Sequence, residues 1–343
     1  SQQYFNGSLA STRQDYADAL SHPAEMTPPF WPANTAQDNT GASAPEHILS
    51  IAQLIAFWRN PVLKWLQQQL QWQPYRPAEA WQAAEPFAVE AEAALNQAYV
   101  AARRQGQNLD RTDDALRQMN VLPDGLLGHT LGQPWRIAAL SLDLALLNSP
   151  RVADAEFNFS HHGLILSGSL NQLHRHGQLI DADTKPHAPQ TIAHYLQHLI
   201  FCAADVPDIE HSTHILYPPA PLQLPPIDAA TAQQLLCPWL AWYVPGQQQP
   251  LPFFAQTGLA AAQAWYQQDP DSATPPDAAK QAAHSAYVGN RFKPGQAQRT
   301  EVALAFGRHD TLPTDTPLFW QLVADLLLPM IAHTQDAALE TDA

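Results

Sequence analysis

The chain has 343 residues, enough to bury a large core in one big domain or two smaller ones. Hydrophobic residues make up 45% of it and charged residues only 14%, with a net charge of −15. That balance weighs against broad autonomous binding to nucleic acid, because affinity for phosphate rests on Lys and Arg. The only lysines are Lys64, Lys185, Lys280 and Lys293, so any nucleic-acid contact must be local or shared with a partner. No run approaches the roughly 18 apolar residues that a membrane-spanning helix needs, which argues against a membrane partner. The 31 prolines predict long, stiff loops. Cys202 and Cys237 sit in apolar helical contexts with no metal-ligand spacing, the pattern of buried free thiols in a cytoplasmic protein. No signal peptide precedes the first aromatic residues, and the chain opens on Ser1, as a piece of something longer would.

Residues 1–45 are rich in Pro, Ser, Thr and Asn with a few large anchors (Tyr4, Phe5, Phe30, Trp31), which predicts an extended arm. One domain is expected over 46–343. Ser50 and Gln53 form a capping-box pair ahead of Ile51, Leu54, Ile55 and Trp58. Asn60-Pro61 ends that helix and starts another, which carries Leu63, Trp65, Leu66 and Leu70. After Glu85-Pro86 a helix runs to about Gly106, with Arg103 and Arg104 complementing its C-terminal dipole. The stretch 135–147 is strand or helix; its periodicity does not decide.

Residues 155–203 are the most informative segment. Phe157 and Phe159 alternate with polar residues as in a half-buried strand. Past the turn at His162-Gly163, a second strand runs through Leu164, Leu166 and Leu170 to Leu173. A short third strand, Leu179-Ile180, leads into Asp183-Thr184-Lys185, and Pro186 stops it. Pro189 then opens a helix with Ile192, Tyr195, Leu196, Leu199 and Ile200 at spacings of three and four. Ile215-Leu216-Tyr217 is a further strand, followed by helices near 228–243, 257–267, 275–288 and 317–333. Strands clustered in mid-chain between helices define an α/β or α+β layer arrangement.

Chemistry enters at Asp183-x-Lys185. A carboxylate and a lysine two apart on a strand share a face, where one can hold a divalent cation and the other orient or polarise a water. Such a metal-dependent nuclease site needs a second carboxylate on the preceding strand, and this chain offers Asn171. A neutral amide removes one anionic ligand from a small set.

The segment Leu54-Ile55-Ala56-Phe57-Trp58-Arg59-Asn60-Pro61, continued through Trp65-Leu66, resembles the L-x-x-F-F-x-N-P-x-x-x-F-L segment of the RecC family, the gamma subunits of exodeoxyribonuclease V. The resemblance continues in order through Glu85-Pro86-Phe87, Leu122-Pro123-x-Gly125, Gly168-Ser169-Leu170 and Tyr195 to Ala203, with Tyr4-Phe5-Asn6-Gly7 upstream. It implies the C-terminal region of such a subunit, with a PD-(D/E)xK nuclease-like mixed sheet flanked by helices. It further implies that the site has lost its activity, leaving Asn171, Asp183 and Lys185 as vestigial positions. The implied role is a scaffold that guides separated DNA strands and docks the helicase subunits of a RecBCD-type complex, on forked or single-stranded DNA. No phosphate-cradling Gly-rich loop ending in Lys-Ser or Lys-Thr occurs, and no cofactor is expected.

Two other readings compete. One is an active nuclease that uses Asp183, Lys185 and another carboxylate such as Asp181; the other is a protein-interaction module without DNA contact, which suits the −15 charge. His194 and His198, four apart on a helix, have zinc-ligand spacing but no evident third ligand, so no metal site is expected. Arg291-Phe292-Lys293, followed by Arg299, is the densest basic stretch and the one candidate for contact with single-stranded DNA; a solvated loop around Pro294-Gly295 is the plainer alternative.

Overall fold

The computed structural model describes residues 47–70, 92–182, 186–216, 222–291, 293–307 and 312–341. The expected arm over 1–45, the start of the first long helix, the segment Asp183-Thr184-Lys185, Phe292 and the strand end at Tyr217 lie outside the described residues.

The chain enters through β1 (His47–Ser50) and turns directly into α1 (Ile51–Arg59). The capping box forms as expected: the Gln53 amide N–H donates to Ser50 Oγ at 3.2 Å, and the Ser50 N–H donates to Gln53 Oε1 at 2.9 Å. Pro61 begins α2 (Pro61–Leu70), where its missing N–H costs nothing. Phe57, Trp58 and Trp65 are fully buried. Trp58 is met edge-to-face by Phe57, Trp239 and Phe253, and its Nε1–H donates to the Trp239 carbonyl at 3.2 Å.

Helices α3 (Glu92–Arg104), α4 (Leu109–Gln118), α5 (Gly125–Ser141) and the short α6 (Leu144–Leu147) form the next unit. The ambiguous stretch 135–147 is therefore helical, and Pro134 is absorbed inside α5. These helices share a small core of their own around Leu95, Tyr99, Leu116 and Leu122.

Strands β2 (Ala155–His161) and β3 (Leu164–Leu170) form a hairpin. His162 and Gly163, both at positive φ (46° and 82°), make its two-residue turn, the conformation whose twist matches the flanking strands. β1 joins β3 in parallel, giving the sheet order β1-β3-β2. The predicted second strand does not run on to Leu173. It stops at Leu170, Gln172 takes a left-handed conformation (φ 60°), and a separate β4 (Leu173–His174) follows. Asn171 thus sits just past a strand and not on it, because the chain bends there to begin a second sheet.

That second sheet contains β4, β5 (Gly177–Asp181), then across α7 (Ala188–Ala203) the strands β6 (Thr213–Leu216) and β7 (Leu222–Leu224), in the order β4-β5-β6-β7. β5 and β6 are parallel, so β5-α7-β6 is a crossover unit. Thr213 and Leu216 project from opposite faces of β6. Thr213 is in hydrogen-bond contact with His198 of α7, whereas Leu216 packs with Val100 of α3 and Leu142 and Leu147. The sheet is layered between α7 and the α3–α6 unit.

The remainder is helical: α8 (Ala229–Gln248), α9 (Ala255–Gln268), α10 (Asp277–Val288), α11 (Thr300–Phe306), α12 (Pro317–Leu322) and α13 (Leu328–Thr341). α8 outlasts its expected end near 243. Burial of Leu236, Trp239, Leu240 and Gly246 holds it through Pro238 and Pro245. Between α12 and α13 lies a π-helical turn, Val323–Leu327, in which the Leu328 N–H reaches back to the Val323 carbonyl. Within it, Asp325 accepts the Trp242 indole N–H at 2.9 Å.

Candidate functional site

The outgoing end of β5 is where sequence placed the chemistry, and three elements converge there. The Gln172 backbone carbonyl accepts the Leu179 N–H at 3.1 Å, one residue beyond the β4–β5 register, and Asn171 precedes that bend. Asn171 is exposed. On the other side, Ala182 donates its N–H to the Leu216 carbonyl (3.0 Å) and accepts from the Asn96 side chain of α3 (2.6 Å). Asp181 is held by Arg104 of α3 through two contacts, Nη2 to Oδ1 at 3.0 Å and Nη1 to Oδ2 at 3.4 Å. A groove of about 320 Å³ between α3 and this strand end is lined by Asn96, Val100, Ala101, Arg104, Gln105 and Asp181.

Arg104 therefore does more than complement a helix dipole. Its guanidinium occupies Asp181, the spare carboxylate on which the active-nuclease alternative depends. The pair is half exposed and is worth only about 0–1 kcal/mol in stability, yet it places a fixed cation where a metal-binding carboxylate would have to be free. Sequence offered no signal for it, since the two residues are 77 apart. Asn96, a lone amide on a helix, was equally invisible.

The two histidines of α7 lie in packed surroundings. His198 is fully buried, with Nδ1 2.9 Å from the Thr213 hydroxyl and its ring stacked on His333 (centroids 5.8 Å apart). Burial chiefly, aided by His333, pulls its pKa down to about 3. His194 is pulled down to about 4, again chiefly by burial and then by the Arg59 charge. Both are neutral packing groups. Among the described residues, no cluster of three or more His, Cys, Asp or Glu could hold a metal ion. Cys202 lies beside His198 with its thiol donating to the His211 carbonyl at 3.2 Å, and burial pushes its pKa up to about 11. Such a thiol is inert. Cys237 is partly exposed, contrary to expectation, because that part of α8 reaches the surface.

The basic stretch forms a pinched tip. Gly289 bridges Pro294, the Asn290 N–H donates to the Lys293 carbonyl (2.8 Å), and the Lys293 N–H donates to Asn290 Oδ1 (2.9 Å). Arg291 and Lys293 project from it, both exposed. Arg299 is drawn elsewhere, 3.9 Å from Glu301. Glu301 also accepts from Asn60 Nδ2 at 3.1 Å, while Asn60 Oδ1 accepts the Leu63 N–H at 3.1 Å. The Asn-Pro motif is thus both a helix cap and a tie between the N- and C-terminal parts.

This architecture defines an α+β protein in which small mixed sheets are packed among helices, with a paired acidic residue at one strand exit. The family model for the RecC C-terminal domain matches residues 46–266, and the chain belongs to that family. Membership supports a place in a multi-subunit RecBCD-type complex and in repair and recombination in general. No curated protein sequence matches the chain. No helix among the described residues is long and apolar enough to cross a membrane.

Proposed function

We propose that this chain, over 46–343, is a non-catalytic scaffold and DNA-guiding domain of a bacterial RecBCD-type helicase–nuclease, acting in the cytoplasm. The observation that carries this reading is the state of the strand exit: Asn171 where a metal site needs a carboxylate, and Asp181 already engaged by Arg104. The β2–β3 hairpin followed by the β5-α7-β6 crossover supports a PD-(D/E)xK nuclease-like frame. Asp183 and Lys185 complete its vestigial positions, and the frame has lost its use as an enzyme.

Metal activates the attacking water in such sites, so a missing anionic ligand weakens both binding and chemistry. The chain supplied with magnesium or manganese is expected to degrade linear DNA no faster than background. Asn171→Asp is expected to restore no cleavage, because Arg104 still neutralises the neighbouring carboxylate. Metal-dependent cleavage by the unmodified chain, abolished by Asp183→Ala, would overturn the reading in favour of an active nuclease.

DNA contact in this reading is local, through Arg291 and Lys293 at the pinched tip with Phe292 between them and Arg299 nearby in sequence. Few phosphates are neutralised by so few cations, so unassisted affinity for forked DNA is weak at physiological salt. Purified helicase subunits are expected to be retained more strongly than DNA, and retention should persist as salt rises. Tight DNA binding with no subunit retained would sink the scaffold reading.

A further inference from the structure

A small cleft at the corner between α1 and α2 gathers cations from distant parts of the chain. Arg59, the last residue of α1, and Arg299, just ahead of α11, both line it. The Asn60–Glu301 hydrogen bond, between residues 241 apart in sequence, holds the two segments together. Among the described residues the Arg59 side chain makes no hydrogen bond or ion pair, and that of Arg299 has only its 3.9 Å contact with Glu301. Lysines and arginines number 17 against 32 acidic residues, so two such lightly engaged cations in one cleft are not what chance would supply.

Gln296 adds a donor to the same lining. It is 6% exposed, and its Oε1 accepts both the N–H and the hydroxyl of Thr257, each at 2.9 Å. It thereby caps α9, which its own N-cap residue, Phe254, cannot do. What Gln296 has left is its Nε2 amino group, a donor with no partner among the described residues. Pro189 in the first turn of α7 and Ala255 in that of α9 border the cleft too, bringing the positive ends of two helix dipoles to it. Glu301 is the acidic residue of the described lining, and it is committed to Asn60, which leaves two positive charges against one negative. The enclosed space is only about 10 Å³, room for one oxygen-sized atom.

We propose that this cleft binds a backbone phosphate of single-stranded DNA, one phosphate oxygen entering it while Arg59 and Arg299 hold the group at its mouth. The space is too small for a base, and the uncommitted groups around it are donors, which suits an anion. Continuity selects DNA over other anions. Gln296 follows Lys293 of the pinched tip by three residues, so their Cα atoms lie within about 11 Å. Phosphates recur every few ångströms along a strand, so one strand can meet the tip and the cleft together. Arg59 thus joins the basic stretch in space, although nothing in the sequence connects them.

This inference rests on the reading of the chain as a DNA-guiding domain, and the test separates the two. A labelled oligothymidine is titrated by fluorescence anisotropy over a range of salt. The chain is used unmodified, as the cleft variant Arg59→Gln with Arg299→Gln, as Gln296→Glu, and as the tip variant Arg291→Gln with Lys293→Gln. Arg117→Gln with Arg151→Gln, both residues paired with aspartates elsewhere, is the charge-matched control. The cleft variant should bind about fivefold more weakly or worse at low salt, and its salt slope should fall by about 0.7, the share of one phosphate on a single strand. Gln296→Glu keeps an acceptor for Thr257, so α9 stays capped and melting is unchanged, yet it sets an anion where the donor was and should weaken binding as much. If only the tip variant loses binding, the cleft inference fails and the DNA-guiding reading stands. No binding by the unmodified chain even at low salt overturns both. An equal loss in the control marks a general effect of charge and overturns the cleft. Inorganic phosphate that raises the melting temperature through Arg59 and Arg299, in a chain whose oligothymidine binding ignores both, would assign the cleft to a free anion and overturn the proposal.

Discussion

Single residues set the sheet that carries the site. Gly177 opens β5 at φ 109°, and a Cβ there would lie 2.1 Å from the Ser212 carbonyl oxygen. Strain and overlap act together, so Gly177→Ala should destabilise by about 2–4 kcal/mol, visible as a lower urea midpoint with an unchanged slope. At this scale the sequence was legible where a residue's chemistry is local. Ser50 and Gln53 announce their cap, His162-Gly163 its turn, and the aromatic spacing of Phe57, Trp58 and Trp65 its burial. What escaped were partnerships between distant residues, such as Arg104 with Asp181 or Asn60 with Glu301. Nothing near either member of such a pair changes when the other is present.

Among elements, the Asn60–Glu301 tie joins the α1–α2 corner to α11. Asn60→Ala removes both the Leu63 cap and the Glu301 contact and should cost about 1–2 kcal/mol. Asn60→Ser keeps the cap alone and should recover part of that loss in chemical denaturation; equal losses for Ala and Ser would show that the cap contributes nothing. Periodicity located α9 and α10 well because each buries one face, and α7 because its apolar residues recur at three and four before the helix becomes buried all round from His198 to Ala203. It failed on 135–147, where Ala138 and Ala139 turn inward and Ile137 and Leu140 outward, so hydrophobicity runs all round the helix. It also missed the break at Asn171–Gln172, since a left-handed glutamine leaves no compositional mark. The strand exit was thus found, but the bend that shapes it was not.

For the whole molecule, the buried histidines make stability depend on pH. His194 and His198 stay neutral in the fold down to about pH 4 and 3, whereas in the unfolded chain they take up protons below the ordinary value of about 6.5. Folded-state pKa values below the unfolded ones mean that stability is complete above about pH 6.5 and is lost as pH falls toward 4, by roughly 2 kcal/mol per histidine at pH 5. Urea unfolding across this range should show the slope, and His194→Gln together with His198→Gln should flatten it. A slope left unchanged would mean that other groups govern acid lability. His198 faces Thr213, Cys202, His211 and His333, none of them anionic, and the Pro225 backbone, which favours its protonated form, is outweighed by burial.

The π-helical turn at Val323–Leu327 has a consequence for how relatives of this chain can differ. Such a turn is an α-helical turn with one residue inserted. Removing that residue would rotate everything downstream by about 100° and draw it back about 1.5 Å. His333 would leave the rings of Tyr195 and His198, and Met330 would swing out of the core. A one-residue gap in a related sequence at this point is therefore not a neutral length change. It marks a chain whose last helix is seated in a different phase, and residues after it should be compared by their facing and not by their count.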